Sequence, residues 1–492
     1  MLFNSPVFIV FFAVVFCLYW LLRKRRPQNV LLLIASYVFY GAWSWKFLLL
    51  LMISTAVDFA CGLLIERASD KQRKKTFVVV SVAVNLLLLG TFKYAGFFVH
   101  EAAEVIRWLG FEPHLTTLQI VLPVGISFYT FQSISYVVDV YRGKLRATTS
   151  LMDYALYVAF FPQLVAGPIE RATHLMPQFL KDRVWSGAAF QSGLQLIVWG
   201  LFKKVAIADN LAPYVNTVFA DPTGYSGGAL LTAIVFFAFQ IYCDFSGYSD
   251  TARGVARTMG FTLISNFEQP YFSKSPVEFW RRWHISLSQW FQDYLYFPLA
   301  MRYMRKGGWA SKYKAHIISM GLIGFWHGAN WTFVVFGLYW GFVIAGYLYA
   351  SERIAEAPPD SALARLAGPS RPNALRGACA VVVMFAIVCV GWVFFRGQSL
   401  TECWHILTHL FSSVGQTGVL RPDITPASIL WTLCVGLYVA EFMYLYRPAI
   451  ANAVLGGDWR QALWRHALLA GIVFSYVVAQ DAKVQPFIYF QF

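Results

Sequence analysis

Apolar stretches long enough to cross a bilayer recur along almost the whole chain, and that recurrence limits the fold more than any other feature. A spanning helix needs about 20 predominantly apolar residues. Runs of that order stand at 5–22, 29–43, 46–65, 77–99, 117–140, 151–168, 187–210, 227–243, 313–328, 331–350, 376–396, 427–445 and 463–480. In lipid, only helices and closed barrels satisfy their own backbone, and these runs are too continuous for barrel strands. The sequence therefore predicts an all-α polytopic membrane protein of about 11–13 membrane segments, some too short to cross alone and so re-entrant. Charged residues are 13% of the 492, against roughly 25% in a soluble domain, which excludes a water-facing surface of this size. Residues 1–492 read as a single transmembrane domain with a motif-rich core at 117–350. The polar stretch 352–373 reads as an ordinary connection.

The net charge of +15 does not require nucleic acid. The basic residues cluster in short loops expected between apolar runs, at Arg23–Arg26, within Glu66–Lys75 and at Arg142–Arg146. The positive-inside rule puts all three clusters in the cytoplasm and the N-terminus outside. The seven cysteines are scattered, with no C-x-x-C pair, and read as small core residues. The first run lacks a basic n-region and a small-residue cleavage site, so it reads as a retained helix. A phosphate-cradling P-loop and a G-x-S-x-G elbow are both missing from the sequence, which disfavours ATP hydrolysis and a serine-esterase mechanism. His405 and His409 lie one helical turn apart, but no third ligand accompanies them in a known pattern, and no metal is expected.

Four constellations interrupt the hydrophobic pattern. Gly324–Asn330 (GFWHGAN) sets His327 in the middle of an apolar run from about Ile317 to Ala350. Burying an imidazole there is costly unless it is satisfied or functional, and its ordinary pKa suits proton transfer near neutrality. Phe279–Phe291 (FWRRWHISLSQWF) reads as one helix with Trp280, Trp283, Leu287, Trp290, Phe291 and the following Tyr294 on a single face. His284 lies at the border of that face, and Trp and Arg also suit a plain interfacial anchor. Gln240–Asp250 (QIYCDFSGYSD) ends an apolar run. Ser249–Asp250 suits a helix cap, whereas Asp244 is better explained by a histidine to orient or an arginine to pair with. Phe160–Arg171 (FFPQLVAGPIER) and Leu122–Tyr129 (LPVGISFY) carry helix-breaking Pro and Gly, which read as architectural features of a cavity wall. The chain closes on Gln485–Phe492 (QPFIYFQF). That run is either an aromatic belt or a tail folded back to offer the Tyr489 hydroxyl.

Taken together, these motifs resemble the membrane-bound O-acyltransferase family, in particular its bacterial branch of alginate O-acetylation membrane subunits. The resemblance rests on Met1–Ser5, Leu122–Asp139, Phe161–Glu170, Asp244–Asp250, Glu278–Tyr296, Trp326–Asn330 and Phe487–Phe492, in that order along the chain. It implies a helical bundle around a tunnel that an acyl thioester enters from the cytoplasm. It implies His327 as the base and His284 as a supporting residue. Asp244, Asn330, Ser288 and Trp326 are expected to support them, with Asn330, Ser288 or a backbone N–H meeting the developing oxyanion. Arg281, Arg282 and Lys274 are candidates for the phosphates of the donor, expected to be acetyl-CoA. No bound cofactor is expected. Further implications are a location in the inner membrane, a periplasmic SGNH-hydrolase-like acetyltransferase partner and a polysaccharide acceptor reached indirectly. Tyr489 resembles the C-terminal tyrosine of related D-alanyl transfer systems and is a candidate acyl relay. Alginate, cellulose and peptidoglycan all stand as acceptors. Two readings from other classes stand beside this one: a transporter or flippase, and a non-catalytic anchor for a periplasmic enzyme.

Overall fold

The computed structural model describes residues 1–112, 122–305, 307, 311–358, 361, 374–412, 426–446 and 487–488. Among the described residues the regular elements are helices alone. Six of these are long and apolar enough to cross a bilayer: Trp45–Arg67, Lys71–Trp108, Gly227–Thr258, Trp331–Ala355, Ala374–Arg396 and Ala427–Tyr446. Pro6–Leu21 is a shorter apolar helix. The protein is thus an all-α, multi-pass membrane protein. The expected segments at 29–43, 117–140 and 313–328 correspond to the shorter helices Arg25–Gly41, Ile126–Tyr141 and Ser311–His327. The expected segment at 463–480 lies outside the described residues.

The chain forms two compact units, 1–201 with 247–265 and 202–246 with 266–492. In the first unit, the predicted break at Phe160–Arg171 is present. Helix Leu151–Ala159 stops, Phe161–Leu164 makes a single turn, and the next helix begins at Ala172. Ending a helix inside a bundle frees backbone groups that must be paired. Phe161 N–H donates to Ser36 Oγ at 3.0 Å, and the Gln132 and Gln163 amides both donate to the Tyr157 carbonyl at 2.7 Å. The Tyr157 hydroxyl donates to the Glu170 carbonyl at 3.0 Å. Buried Glu170 accepts from Ile264 N–H at 2.7 Å and meets His174 Nδ1 at 2.6 Å. Gly125 has φ +78°, and a Cβ there would sit 2.6 Å from the Leu164 carbonyl oxygen, so only glycine fits this approach.

Two expectations are corrected in this unit. The basic stretch Glu66–Lys75 is not a loop. Trp45–Arg67 and Lys71–Trp108 are separated only by residues 68–70, and the Asp70 carboxylate caps the second helix by accepting from Arg73 N–H at 2.9 Å. Lys71, Arg73, Lys74 and Lys75 therefore ride on the first turns of the following helix. Ser249–Asp250 is not a cap either. Helix Gly227–Thr258 runs straight through it, and Asp250 pairs with Arg253 at 2.9 Å. Small residues explain the continuity. A Cβ on Gly200 would lie 2.4 Å from the Gly247 carbonyl, and one on Gly193 2.8 Å from the Gly254 carbonyl. Helix Gly187–Leu201 and the 247–258 stretch thus approach backbone to backbone, the usual way membrane helices gain contact without large apolar side chains.

The second unit is organised by the hairpin of Ser311–His327 and Trp331–Ala355. A Cβ on Gly337 would fall 2.3 Å from the Met320 carbonyl, one on Gly324 2.2 Å from the Phe333 carbonyl, and one on Gly341 2.7 Å from Ile317 Cα. The seam fixes where the first helix ends, and His327 is its last residue. Behind it lies an aromatic core. Phe279 stacks on Trp340 at 5.1 Å, Phe336 on Trp392 at 5.7 Å, and Trp283 packs on Trp392 at 4.8 Å. Overpacking such a seam costs roughly 1–3 kcal/mol or more. Gly337→Val should therefore lower the thermal stability of the detergent-purified protein and cut activity. Gly346→Val on the same helix, where a Cβ meets nothing within 4 Å, should leave the melting temperature close to wild type.

Candidate active site

His327 is 4% exposed. Its ring lies 4.9 Å from Trp326, 5.1 Å from Phe395 and 5.9 Å from Phe336, each edge-on. The turn after it is equally tight, because a Cβ on Gly328 would fall 2.2 Å from the Phe333 ring.

His284 is fully buried and does not sit within a helix as expected. Pro276–Arg282 and Ile285–Phe291 are separate helices, and His284 between them has φ 42°, ψ 55°. A left-handed conformation at a residue other than glycine costs on the order of 1–2 kcal/mol, and it persists only where the surroundings over-determine it. Here Asn266 supplies the clamp. Its carbonyl accepts from Ile285 N–H at 2.9 Å, and its side-chain oxygen accepts from Ser286 Oγ at 2.6 Å. Glu268 N–H adds a bond to the Arg282 carbonyl at 3.0 Å. The break turns the His284 ring edge-on to Phe245 at 4.6 Å and toward Trp326 at 6.3 Å. Trp326 thus contacts both imidazoles. Burial pushes the His284 pKa down to about 3, so this ring is neutral at cellular pH, the form able to accept a proton or a hydrogen bond.

Among the described residues, Asp244 pairs with neither a histidine nor an arginine. Its Oδ1 lies 2.5 Å from Lys204 Nζ, and Lys204 Nζ lies 2.8 Å from Asp209 Oδ1. Lys204 reaches this position from a wide π-helical turn, Phe202–Ala208, the kind of local distortion that collects at functional sites. Asp244 Oδ2 accepts from the backbone N–H of Ile488 at 2.6 Å. Phe245 completes the junction, with its ring 5.7 Å from Phe487. One turn back along the helix, the Tyr242 hydroxyl donates to the Glu441 carboxylate.

The remaining sequence candidates fall around this core. Asn330 caps Trp331–Ala355, accepting from Thr332 N–H and donating to the Gln398 carbonyl, both at 3.0 Å. Ser288 Oγ donates to the Trp283 carbonyl at 3.2 Å. Arg282 pairs with Glu278 at 2.9 Å, while Arg281 and Lys274 are exposed. Tyr489 lies outside the described residues. Reading the sequence missed Lys204, Asp209, Phe245, Asn266, Ser286 and Glu441. The signal available for Lys204 was a buried-looking Lys-Lys pair inside an apolar segment. Asn266 gave none, because its partner is the break itself.

The chain as a whole has known relatives. Residues 144–370 match the membrane-bound O-acyltransferase family, MBOAT. The chain is 42% identical over 413 residues to a probable alginate O-acetylase AlgI of Pseudomonas aeruginosa, covering 84% of this chain and 75% of that protein. It is 42% identical over 467 residues to a probable alginate O-acetylase AlgI of Azotobacter vinelandii, covering 94% and 88%. It is also 31% identical over 552 aligned positions to a peptidoglycan O-acetyltransferase of Helicobacter pylori, covering 100% and 98%. The chain belongs to the membrane-bound O-acyltransferase family. It is a multi-pass membrane O-acyltransferase.

Asn266→Ala loosens the backbone that holds His284 and should lower acyl transfer about tenfold or more through kcat, because small displacements beside reacting atoms are costly. The KM for the acyl donor should stay close to wild type. Asn330→Ser keeps a helix cap and costs only a few tenths of a kcal/mol, so it should transfer within about threefold of wild type. A fall of about 100-fold would instead assign the Asn330 amide to the oxyanion.

Proposed function

We propose that this protein takes an acetyl group from acetyl-CoA on the cytoplasmic side of the inner membrane and passes it outward for O-acetylation of an exported polysaccharide, alginate first among the candidates. The observation that carries the proposal is the pair of buried imidazoles, His327 and His284, in ring contact with the same indole, Trp326. The probable alginate O-acetylases at 42% identity support the choice of group and polymer. The relative named as a peptidoglycan O-acetyltransferase, aligned over the whole chain, favours peptidoglycan as the second acceptor.

A hydroxyl is a poor nucleophile until its proton leaves. In the proposed step, His327 accepts that proton as the acceptor oxygen bonds to the thioester carbonyl carbon. The oxyanion collapses, the C–S bond breaks, and the imidazolium returns the proton to the departing coenzyme A thiolate. His284, neutral and held by the Asn266 clamp, supports His327 and the reacting groups. Arg281, Arg282 and Lys274 hold the donor phosphates. Tyr489 is the first acceptor, forming a phenyl ester that a periplasmic SGNH-hydrolase-like partner then discharges onto the polymer. In this reading the N-terminus is periplasmic.

The test is purified protein with radiolabelled acetyl-CoA. Wild type should release free coenzyme A and carry label on its C-terminal peptide, and His327→Ala should abolish both. Arg281→Ala should raise the acetyl-CoA KM several-fold with kcat retained, the behaviour of a group that binds donor and transition state alike. Full transfer by Tyr489→Phe would overturn the relay. Substrate movement without thioester cleavage would favour a transporter.

A further inference from the structure

Asp244 uses its two oxygens differently. One faces the Lys204 ammonium at 2.5 Å and the other accepts the Ile488 N–H at 2.6 Å. A carboxylate 2% exposed is tolerable only when paired and hydrogen-bonded. Lys204 supplies the pairing from within the bundle, so the charge compensation does not depend on the tail. Among the described residues, the tail brings a backbone hydrogen bond from Ile488 and two buried apolar side chains, Phe487 at 1% and Ile488 at 3% exposure. A segment held this way can dock and leave without stranding an unpaired charge. Its docking point is also adjacent to the chemistry. Phe245, the residue after Asp244, has ring contacts with both Phe487 at 5.7 Å and His284 at 4.6 Å.

We infer that the Lys204–Asp244 pair is a latch that docks the C-terminal segment at Phe487–Ile488 beside His284, making both residues positioning residues for acyl transfer. The docking stands on the geometry above. Its kinetic consequence rests on the reading in which the adjoining Tyr489 accepts the acyl group. A carboxylate accepting a main-chain N–H fixes the position of the backbone whatever the side chain.

The experiment compares variants of the full-length protein in detergent. Asp244→Leu removes the acceptor but leaves Lys204 paired with Asp209. Ile488→Pro removes only the donor N–H and touches no charge, so it serves even if the first variant does not fold. Ile488→Ala keeps the N–H and is the control. Carboxypeptidase digestion read by intact mass reports docking. Wild type and Ile488→Ala should keep residue 487 and everything before it, whereas Asp244→Leu and Ile488→Pro should be trimmed past it. Transfer from acetyl-CoA should fall about tenfold or more in kcat for the two released variants, with the acetyl-CoA KM within about twofold. Asp244→Asn, which keeps an oxygen for the N–H, should restore protection. Equal trimming of all variants overturns the latch, whatever Tyr489→Phe does. Release without loss of transfer overturns the positioning role. Loss of protection in the two variants, with normal transfer by Tyr489→Phe, leaves the latch standing and removes the relay.

Discussion

A polar group carried into a membrane bundle has to be satisfied by protein, and the unusual features of this structure follow from how that demand is met. Glu170 is satisfied by Ile264 N–H and His174. Asp58, fully buried in helix Trp45–Arg67, accepts from Ser81 at 2.5 Å and from Asn85 at 2.8 Å. Asp244 is satisfied by Lys204 and the Ile488 N–H. The first two tie helix breaks and crossings together within one unit. The third brings Phe487 and Ile488 to the helix that carries Phe245, and so to the neighbourhood of His284. Buried pairs of this kind contribute little net stability over an apolar replacement. Their value here lies in fixing geometry.

That geometry separates the two histidines by role. His327 ends a helix whose position is set by glycine-to-glycine contact, so its backbone is held by packing. His284 stands in a strained left-handed residue held by hydrogen bonds to Asn266. Strain localised at one residue and compensated by its neighbours is a recognised mark of functional positions. The neutral state of His284, set by burial, suits a residue that supports proton transfer without itself carrying charge.

Much of this was legible in the sequence. Apolar run length gave the all-α membrane class, and polar residues among apolar neighbours drew attention to His327, His284 and Asp244, although Asp244 pairs with Lys204 and not with the histidine or arginine expected. The helix breaks at Phe160–Arg171 followed from Pro and Gly. What was not legible depended on tertiary partners. The apolar spacing from Trp280 to Phe291 fits a single helix, because each of the two short helices keeps the same face inward across the break. Ser249–Asp250 looks like a cap until Gly193 and Gly200 are seen packed against the same helix. Lys204 carries no decisive signal, because a lysine in an apolar run can equally well snorkel to the interface. Only the fold shows it turned inward to Asp244 and Asp209.

The central claim is that one aromatic-walled site holds both imidazoles against the reacting acyl group. The most direct measurement is a cryo-EM structure of the protein bound to an acetyl-CoA analogue in which a methylene replaces the thioester sulfur. The account predicts the analogue's methylene, which stands where the sulfur receives its proton, about 3 Å from the His327 ring or one water away, with Trp326 alongside. An analogue bound with its acyl group remote from both His327 and His284 would contradict it.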